Sequence, residues 1–160
     1  MSDRHTSDEG ATGGAGEHAF NVVVDVPVRF KDIDVGGHAH HSHALVYFEE
    51  ARAAYWERVT GSRGLDGVEY ILAELTVRYR ARILWPQTLS VGVRVTRVTR
   101  RTFEMAYEVR GEDGTLLVTG ASTQVMYDYD AGRVMEMPEA YAQAVVELDP
   151  RSGVADRPDD

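Results

Sequence analysis

The chain has 160 residues, with 26 acidic and 17 basic side chains and a formal net charge of −9. This length is enough for one domain with a buried core, and the acidic balance argues against nucleic acid as a partner. The absence of cysteine excludes disulfides, thiolate nucleophiles and Cys-ligated metal centres. No basic start followed by an apolar run and no stretch of membrane-spanning length occurs, so we expect a cytoplasmic protein without membrane association.

Composition divides the chain into three segments. Residues 1–18 are rich in Gly, Ser, Asp and Glu, and are predicted to form a disordered tail. Residues 149–160 contain four aspartates and two prolines and are interpreted in the same way. The folded domain is therefore predicted to span residues 19–148.

The first predicted elements are a strand and a long helix. Residues 21–30 are rich in valine and alternate in polarity, which predicts a strand, and Pro27 within it predicts an edge position or a bulge. Residues 44–59 place apolar side chains at helical spacing and predict the one long helix. Ser42 is the expected N-cap, and Gly61 the expected glycine at the C-terminal end.

Four further strands and a short helix are predicted after the long helix. Arg97 interrupts the alternation of the second of these strands, which indicates a bulge. One helix followed by strands joined by short turns predicts an α+β fold, in which an antiparallel sheet of about five strands wraps a central helix. Such a sheet leaves an edge and a face exposed, so we expect a homodimer or homotetramer. The four strands and the final helix are expected at residues 69–84, 88–99, 102–110, 115–129 and 139–147.

The segment from Phe30 to Arg52 contains the side chains best suited to chemistry. Asp34 precedes two glycines, a run of four histidines within six residues, and the long helix. A carboxylate beside a flexible turn and a helix N-terminus, where backbone N–H groups are unpaired, suits acyl transfer. The alternative interpretation is an ordinary Gly-rich loop with a solvated aspartate. Metal binding is a further alternative, but this histidine spacing does not match a helical zinc site, so we expect no metal and no cofactor.

A basic zone lies in the middle of this acidic chain. Between Leu75 and Phe103 there are seven arginines and no acidic residue. This zone suits a small polyanion such as a nucleotide phosphate, and it equally suits a solvated strand face. The seven arginines are Arg78, Arg80, Arg82, Arg94, Arg97, Arg100 and Arg101.

The segment from Asp34 to Arg52 resembles the signature of the hotdog-fold acyl-CoA thioesterases, the 4-hydroxybenzoyl-CoA thioesterase superfamily. That signature has an aspartate, a glycine three residues later, a short segment with His or Asn, and then Y/L-x-Y-F-E-x-A-R. Here it is Asp34, Gly37, residues 38–43, and LVYFEEAR at residues 45–52. The resemblance continues through the strands and covers nearly the whole predicted domain.

The resemblance implies a role for several residues. Asp34 takes the position of the catalytic carboxylate, as nucleophile or general base, and the backbone N–H of His41 takes that of the oxyanion donor. Arg100 and Arg101 match a basic pair that meets the coenzyme A phosphates in some relatives. We also assign to substrate binding, from their places in the motif or their aromatic character, Gly37, His38, Tyr47 and Tyr70. The chain departs from its relatives where Ala44 replaces a frequent tyrosine, His43 replaces an asparagine, and His40–His41 replace a pair of asparagines.

The resemblance therefore implies hydrolysis of an acyl-CoA to a carboxylic acid and free coenzyme A. Two alternatives stay open: a thioesterase acting on acyl carrier protein in fatty-acid or polyketide metabolism, and a non-catalytic hotdog protein that binds acyl thioesters. A hotdog hydratase is disfavoured, because neither Asp32 nor Asp34 has a histidine five residues later and no Asn-Pro pair occurs.

Overall fold

A computed structural model describes residues 20–64 and 67–154. The predicted tail at residues 1–18 and the last six residues lie outside this range. Neither helix in the described part of the chain is long and apolar enough to span a membrane.

The architecture is an antiparallel sheet packed on a long helix. The elements are β1 (Val22–Pro27), α1 (His43–Thr60), β2 (Tyr70–Tyr79), β3 (Thr88–Val98), β4 (Thr102–Arg110), β5 (Leu116–Asp128), β6 (Arg133–Val134), α2 (Glu139–Leu148) and β7 (Gly153–Val154). The five main strands have the order β1-β3-β4-β5-β2, and the predicted α+β fold is confirmed. The short strand β6 pairs with β5, and β7 runs parallel to β3.

Helix α1 buries a mainly aromatic face against the sheet. Phe48 is fully buried and lies directly on Gly120 of β5, where any Cβ would collide with its ring. Trp56 stacks on Phe103 of β4, with ring centroids 4.5 Å apart, and its indole N–H donates to the carbonyl of Gly67 at 2.9 Å. Each such buried ring stabilises the fold by about 1.5–3 kcal/mol. Most of the apolar stripe predicted from helical spacing is buried, including Phe48, Tyr55 and Val59, whereas Leu45 is 39% exposed.

The two ends of α1 differ in how well the sequence predicts them. Gly61 has φ 72°, and its N–H donates to Glu57, as expected for a C-terminal glycine. Ser42, the expected N-cap, instead has a helical φ of −64° and caps no backbone group with its side chain. Its hydroxyl bonds Nδ1 of His40 at 2.8 Å. The neighbouring imidazole therefore competes successfully for the capping oxygen.

The register of the strands follows two sequence signals. The alternation breaks between Val95 and Arg97 of β3, where the sheet register shifts, which confirms the predicted bulge. Pro27 ends β1, which lies at one edge of the sheet. Proline is tolerated there because an edge strand does not need every N–H for pairing.

Residues 149–154 belong to the fold, in contrast to the expectation of a disordered tail. Asp149 is only 5% exposed, and its carboxylate accepts hydrogen bonds from the Tyr55 hydroxyl at 2.7 Å and the Val95 N–H at 2.9 Å. Beyond it, β7 pairs with β3. Composition missed this because one buried carboxylate with specific donors outweighs the polar character of the segment.

Strand β2 forms the opposite edge of the sheet and is exposed over most of its length. Its burial alternates only weakly, and Ile71 and Leu72 are 37% and 45% exposed. A ten-residue edge strand with exposed apolar side chains is a template for pairing with another chain. The exposed β2 edge is therefore a candidate surface for self-association.

We expect Asp149→Ala to lower the free energy of unfolding by about 2–4 kcal/mol, because the Tyr55 hydroxyl and the Val95 N–H would be left buried without an acceptor. Urea denaturation checks this. Glu147→Ala, at an exposed position of α2, is the control and should stay within about 0.5 kcal/mol of the wild type. Equal stabilities of the two variants would contradict the role assigned to Asp149.

Alkaline pH should weaken the hydrogen bond between Tyr55 and Asp149. Burial, and then the hydrogen bond to Asp149, raise the pKa of Tyr55 well above its ordinary value. Because the folded pKa exceeds the unfolded one, the stability from this group is complete below about pH 10 and declines as the pH rises further, by up to about 1.4 kcal/mol per pH unit. Urea titrations between pH 8 and pH 11 should show a shallower decline above pH 10 in Tyr55→Phe than in the wild type. Parallel curves above pH 10 would argue against this contribution.

Candidate active site

Asp34 lies in a tight turn that holds its carboxylate in place. One carboxylate oxygen, Oδ1, accepts the backbone N–H of Gly36 at 2.7 Å, and the Asp34 carbonyl accepts the N–H of Gly37 at 3.0 Å. Gly37 has φ +75°, which favours glycine. A Cβ on Gly36 would lie 3.0 Å from the Asp34 carboxylate and 3.1 Å from Nε2 of His38. The turn therefore favours glycine at position 37 through its backbone and leaves little room for a side chain at position 36. Oδ2 of Asp34 makes no hydrogen bond to the described residues.

The turn is tied to the start of α1 and to the segment after β2. Ile33 and Ala39 form an antiparallel bridge across the turn, and the Ala39 N–H donates to the carbonyl of Ile83 at 2.8 Å. The Tyr79 hydroxyl donates to the carbonyl of His41 at 2.6 Å. The N–H of His41 itself has no acceptor among the described residues. It is thus a free donor one residue before Ser42 and the first turn of α1.

A cavity of about 320 Å³ contains these groups. Its walls come from the Asp34 turn, from the start of α1, and from the segment that leaves β2. One acidic side chain lies among three histidines and two arginines, so the charged groups are predominantly cationic. The lining residues are Asp34, His38, Ala39, His40, His41, Ala44, Tyr79, Arg80, Ala81, Arg82 and Ile83.

A second carboxylate, that of the buried Asp32, bonds the chain segments around the cavity to one another. Asp32 is 3% exposed, and its Oδ2 accepts the Arg29 N–H and the Tyr47 hydroxyl, each at 3.0 Å. Its other oxygen lies 3.5 Å from Nδ1 of His43, and its carbonyl accepts the N–H of His40 at 2.8 Å. Burial, and then the hydrogen bond to Asp32, raise the pKa of Tyr47 well above its ordinary value, so the Tyr47 hydroxyl stays a donor at neutral pH. Asp32 is not among the site residues that the sequence predicts.

The structure brings together some of the predicted site residues and separates the others. Asp34, His38 and His41 line the cavity, and Gly37 shapes the turn beside it. Tyr47 does not line it, because its ring is fully buried and its hydroxyl bonds Asp32. The remaining three, Tyr70, Arg100 and Arg101, lie at the other end of β2, where Tyr70 pairs with Met126 and Met126 bonds the Arg101 carbonyl.

Residues that the site prediction lacked lie mainly in the segment after β2. Ala81 and Ile83 carry no motif, Tyr79 belongs only to the strand part of the family resemblance, and Arg80 and Arg82 belong to the basic zone. The spacing of two residues between Arg80 and Arg82, which places both on one side of an extended segment, is the sequence signal that could have indicated them. No group of three or more His, Cys, Asp or Glu side chains within the described residues is arranged to hold a metal ion.

Comparison with known protein sequences finds a family and a relative. A family model described as the thioesterase-like superfamily matches residues 28–145. A putative esterase of Aquifex aeolicus (strain VF5) is 29% identical over 104 residues, which are 61% of this chain and 77% of that protein.

Two solved structures give the same fold. A thioesterase from Thermus thermophilus, complexed with coenzyme A and Zn, superposes with a TM-score of 0.74 at 30% identity, covering 82% of this chain and 96% of that one. A DHNA-CoA thioesterase from Staphylococcus aureus superposes with a TM-score of 0.71 at 21% identity, covering 82% of this chain and 96% of the other, and supports the fold alone.

The family model covers well over half of the chain, and the structural relatives share the arrangement of one helix against five main strands. The resemblance inferred from the Asp34 motif is thereby confirmed. This protein belongs to the thioesterase-like superfamily and has the hotdog fold.

Proposed function

We propose that the protein is an acyl-CoA thioesterase, which hydrolyses an acyl-CoA to a carboxylic acid and free coenzyme A. One observation carries the proposal: a fixed carboxylate, Asp34, and an unpaired backbone N–H, that of His41, belong to described residues lining the same cavity. Membership of the family supports thioester hydrolysis as the class of reaction, and the Thermus thermophilus relative is a thioesterase complexed with coenzyme A.

Asp34 is suited to either of two routes. As a nucleophile, its carboxylate attacks the thioester carbonyl, the thiolate of coenzyme A leaves, and water then hydrolyses the mixed anhydride. As a general base, it removes a proton from water as the water attacks the carbonyl, and the thiolate of coenzyme A leaves from the tetrahedral intermediate. The Gly36 N–H holds Oδ1 of the carboxylate in both routes and leaves Oδ2 for the reaction.

The His41 N–H is suited to stabilise the oxyanion that forms on the thioester carbonyl. A backbone donor in a walled cavity needs no reorganisation during the reaction, and the positive end of the α1 dipole acts in the same sense. The Tyr79 hydroxyl bonds the His41 carbonyl and so holds this part of the chain in place. The histidine ring itself is exposed and is not assigned a proton-transfer role.

We expect Asp34→Asn to lower kcat/KM by about a hundredfold or more, because an amide neither attacks nor activates water at neutral pH. A thiol-reactive dye measures release of coenzyme A, and the lack of cysteine removes background from the protein. Asp25→Asn makes the same chemical change at an exposed position of β1 and should retain full activity. Equal rates for the two variants, both folded, would rule out the assignment of Asp34.

We further propose that the working unit is a homodimer, or a homotetramer built from it, formed by two β2 edges. Antiparallel pairing about a two-fold axis would bring the Tyr70 end of one β2 beside the Tyr79 end of the other. The Arg100–Arg101 turn of one protomer would then approach the Asp34 cavity of its partner. This explains how a basic pair a full strand away from Asp34, roughly 30 Å at 3.3 Å per residue, can serve the same substrate.

Leu72→Asp should therefore dissociate the dimer and lower the activity, because it places a charge on an exposed apolar position of the β2 edge. Sedimentation velocity measures the mass, and thiol release measures the activity. Val146→Asp, at a similarly exposed position of α2 (39%), is the control and should leave both unchanged. A Leu72→Asp protein with the mass of the wild type would argue against pairing through β2.

A carrier-protein substrate is the second candidate, favoured by the exposed arginines at positions 78, 80 and 82, which suit an acidic carrier. An acyl carrier protein hydrolysed much faster than the matching acyl-CoA would favour it. A folded wild type that binds acyl-CoA but hydrolyses neither thioester would favour a binding role instead.

A further inference from the structure

Arg80 and Arg82 line the same cavity as Asp34 and lie on a well-fixed segment. The N–H groups of Arg80 and Ala81 both donate to the carbonyl of Leu117, at 2.8 and 3.1 Å. Two residues further on, the carbonyl of Ile83 accepts the N–H of Ala39 from the Asp34 turn. Both arginines are thus held, through backbone contacts, between β5 and the candidate catalytic turn.

Neither guanidinium has an anionic partner within the described residues. Several other arginines of this acidic chain form ion pairs, including Arg29 with Glu50 at 2.9 Å and Arg110 with Glu108 at 2.8 Å. Arg82 shares a neighbouring surface depression with two acidic residues of the β4–β5 turn, but no ion pair joins them. Arg80 does not line that depression. The cavity therefore contains two cationic side chains whose charge is not matched by a carboxylate bonded to them.

The rest of the cavity suits a short acyl chain. Its apolar wall comes from small or aliphatic side chains, namely Ala39, Ala44, Ala81 and Ile83. The volume of about 320 Å³ is at the low end for small-molecule pockets. A long acyl chain would need space beyond these walls, whereas a few methylene groups ending in a polar group would fit within them.

We propose that the preferred substrate is a thioester whose acyl group ends in a carboxylate, a monothioester of a short dicarboxylic acid, and that Arg80 and Arg82 bind this carboxylate. The inference rests on the proposed function and specifies its substrate class. Arginine suits the task because its planar fork donates two parallel hydrogen bonds to a carboxylate. With Asp34 as the one acidic residue of the lining, the two guanidinium groups offset the repulsion that a second carboxylate would otherwise meet.

The phosphates of coenzyme A are the other possible anion for this pair of arginines. They are separated from the thioester carbonyl by the whole pantetheine arm, whereas Arg80, Arg82 and Asp34 line one small cavity. A group that reaches these arginines while the thioester is beside Asp34 therefore belongs to the acyl end. The geometry favours the acyl carboxylate, and the experiment separates the two sources.

The test compares glutaryl-CoA with pentanoyl-CoA, which has the same number of carbons and no terminal charge. We expect kcat/KM of the wild type to favour glutaryl-CoA by about tenfold or more. Arg80→Gln and Arg82→Gln should remove this preference by lowering glutaryl-CoA turnover much more than pentanoyl-CoA turnover. Arg133→Gln is the matched control, because Arg133 is exposed on β6 but does not line the cavity, and should keep the preference.

Three outcomes would overturn the inference. One is a wild type without the preference. Another is an equal loss of kcat/KM by Arg80→Gln or Arg82→Gln on both CoA substrates, together with no loss on the matching N-acetylcysteamine thioesters. Because these thioesters lack the phosphates, that result would mean that the arginines contact coenzyme A. The third is dissociation of the dimer by Arg80→Gln or Arg82→Gln in sedimentation velocity, which would assign the arginines to an ion pair between protomers.

A binding measurement separates this inference from the proposed function. Calorimetry compares two thioethers that cannot be hydrolysed, S-(4-carboxybutyl)-CoA and S-pentyl-CoA. We expect the carboxylate form to bind about tenfold more tightly to the wild type, and Arg80→Gln and Arg82→Gln to remove this difference. That result supports the inference even if the wild type hydrolyses no thioester. A lack of hydrolysis would refute only the enzymatic function. Equal affinities of the two thioethers would refute the inference even for an active thioesterase.

Discussion

The candidate site depends on one buried carboxylate that does not itself line the cavity. Asp32 accepts the Tyr47 hydroxyl from α1 and the Arg29 N–H from the chain after β1, and its carbonyl accepts the N–H of His40. A buried carboxylate is costly unless several donors satisfy it, so this set of bonds strongly favours one arrangement of three chain segments. Asp34 and His41 lie within that arrangement, and so the Asp34 carboxylate and the His41 N–H belong to the same cavity.

The residues proposed to bind the substrate are divided between the two ends of β2. Asp34, His41 and the arginines of the cavity lie near the Tyr79 end of β2, and Arg100 and Arg101 lie near its other end. A single protomer cannot bring these ends together, because β2 is a continuous strand paired with β5 along its length. The exposed β2 edge provides a means of joining opposite ends in an assembly. Catalysis and self-association are therefore linked by the geometry of one strand in the proposed dimer.

Departures from the family motif cluster around the cavity. Ala44 lines the wall at a position where relatives often have tyrosine, and His40 and His41 are in contact, with ring centroids 3.9 Å apart, where other members have asparagines. Small side chains on α1 leave room near Asp34, and the two arginines of the lining place positive charge around it. The carboxylate itself and its glycine turn keep the family pattern. The departures therefore lie in the cavity walls and leave the proposed catalytic carboxylate unchanged.

The sequence by itself determined the features that depend on near neighbours: the long helix, the glycine at its end, the bulge beside Arg97, and the acid-turn-helix motif at Asp34. Periodicity and turn chemistry are local, so one-dimensional patterns report them well. Only the tertiary structure decided which distant residues meet. Asp149 reaches Tyr55 and Val95, Tyr79 reaches His41, and Arg80 lines the Asp34 cavity. These contacts join segments about 40 to 90 residues apart along the chain through sheet register and buried hydrogen bonds, which no local pattern encodes.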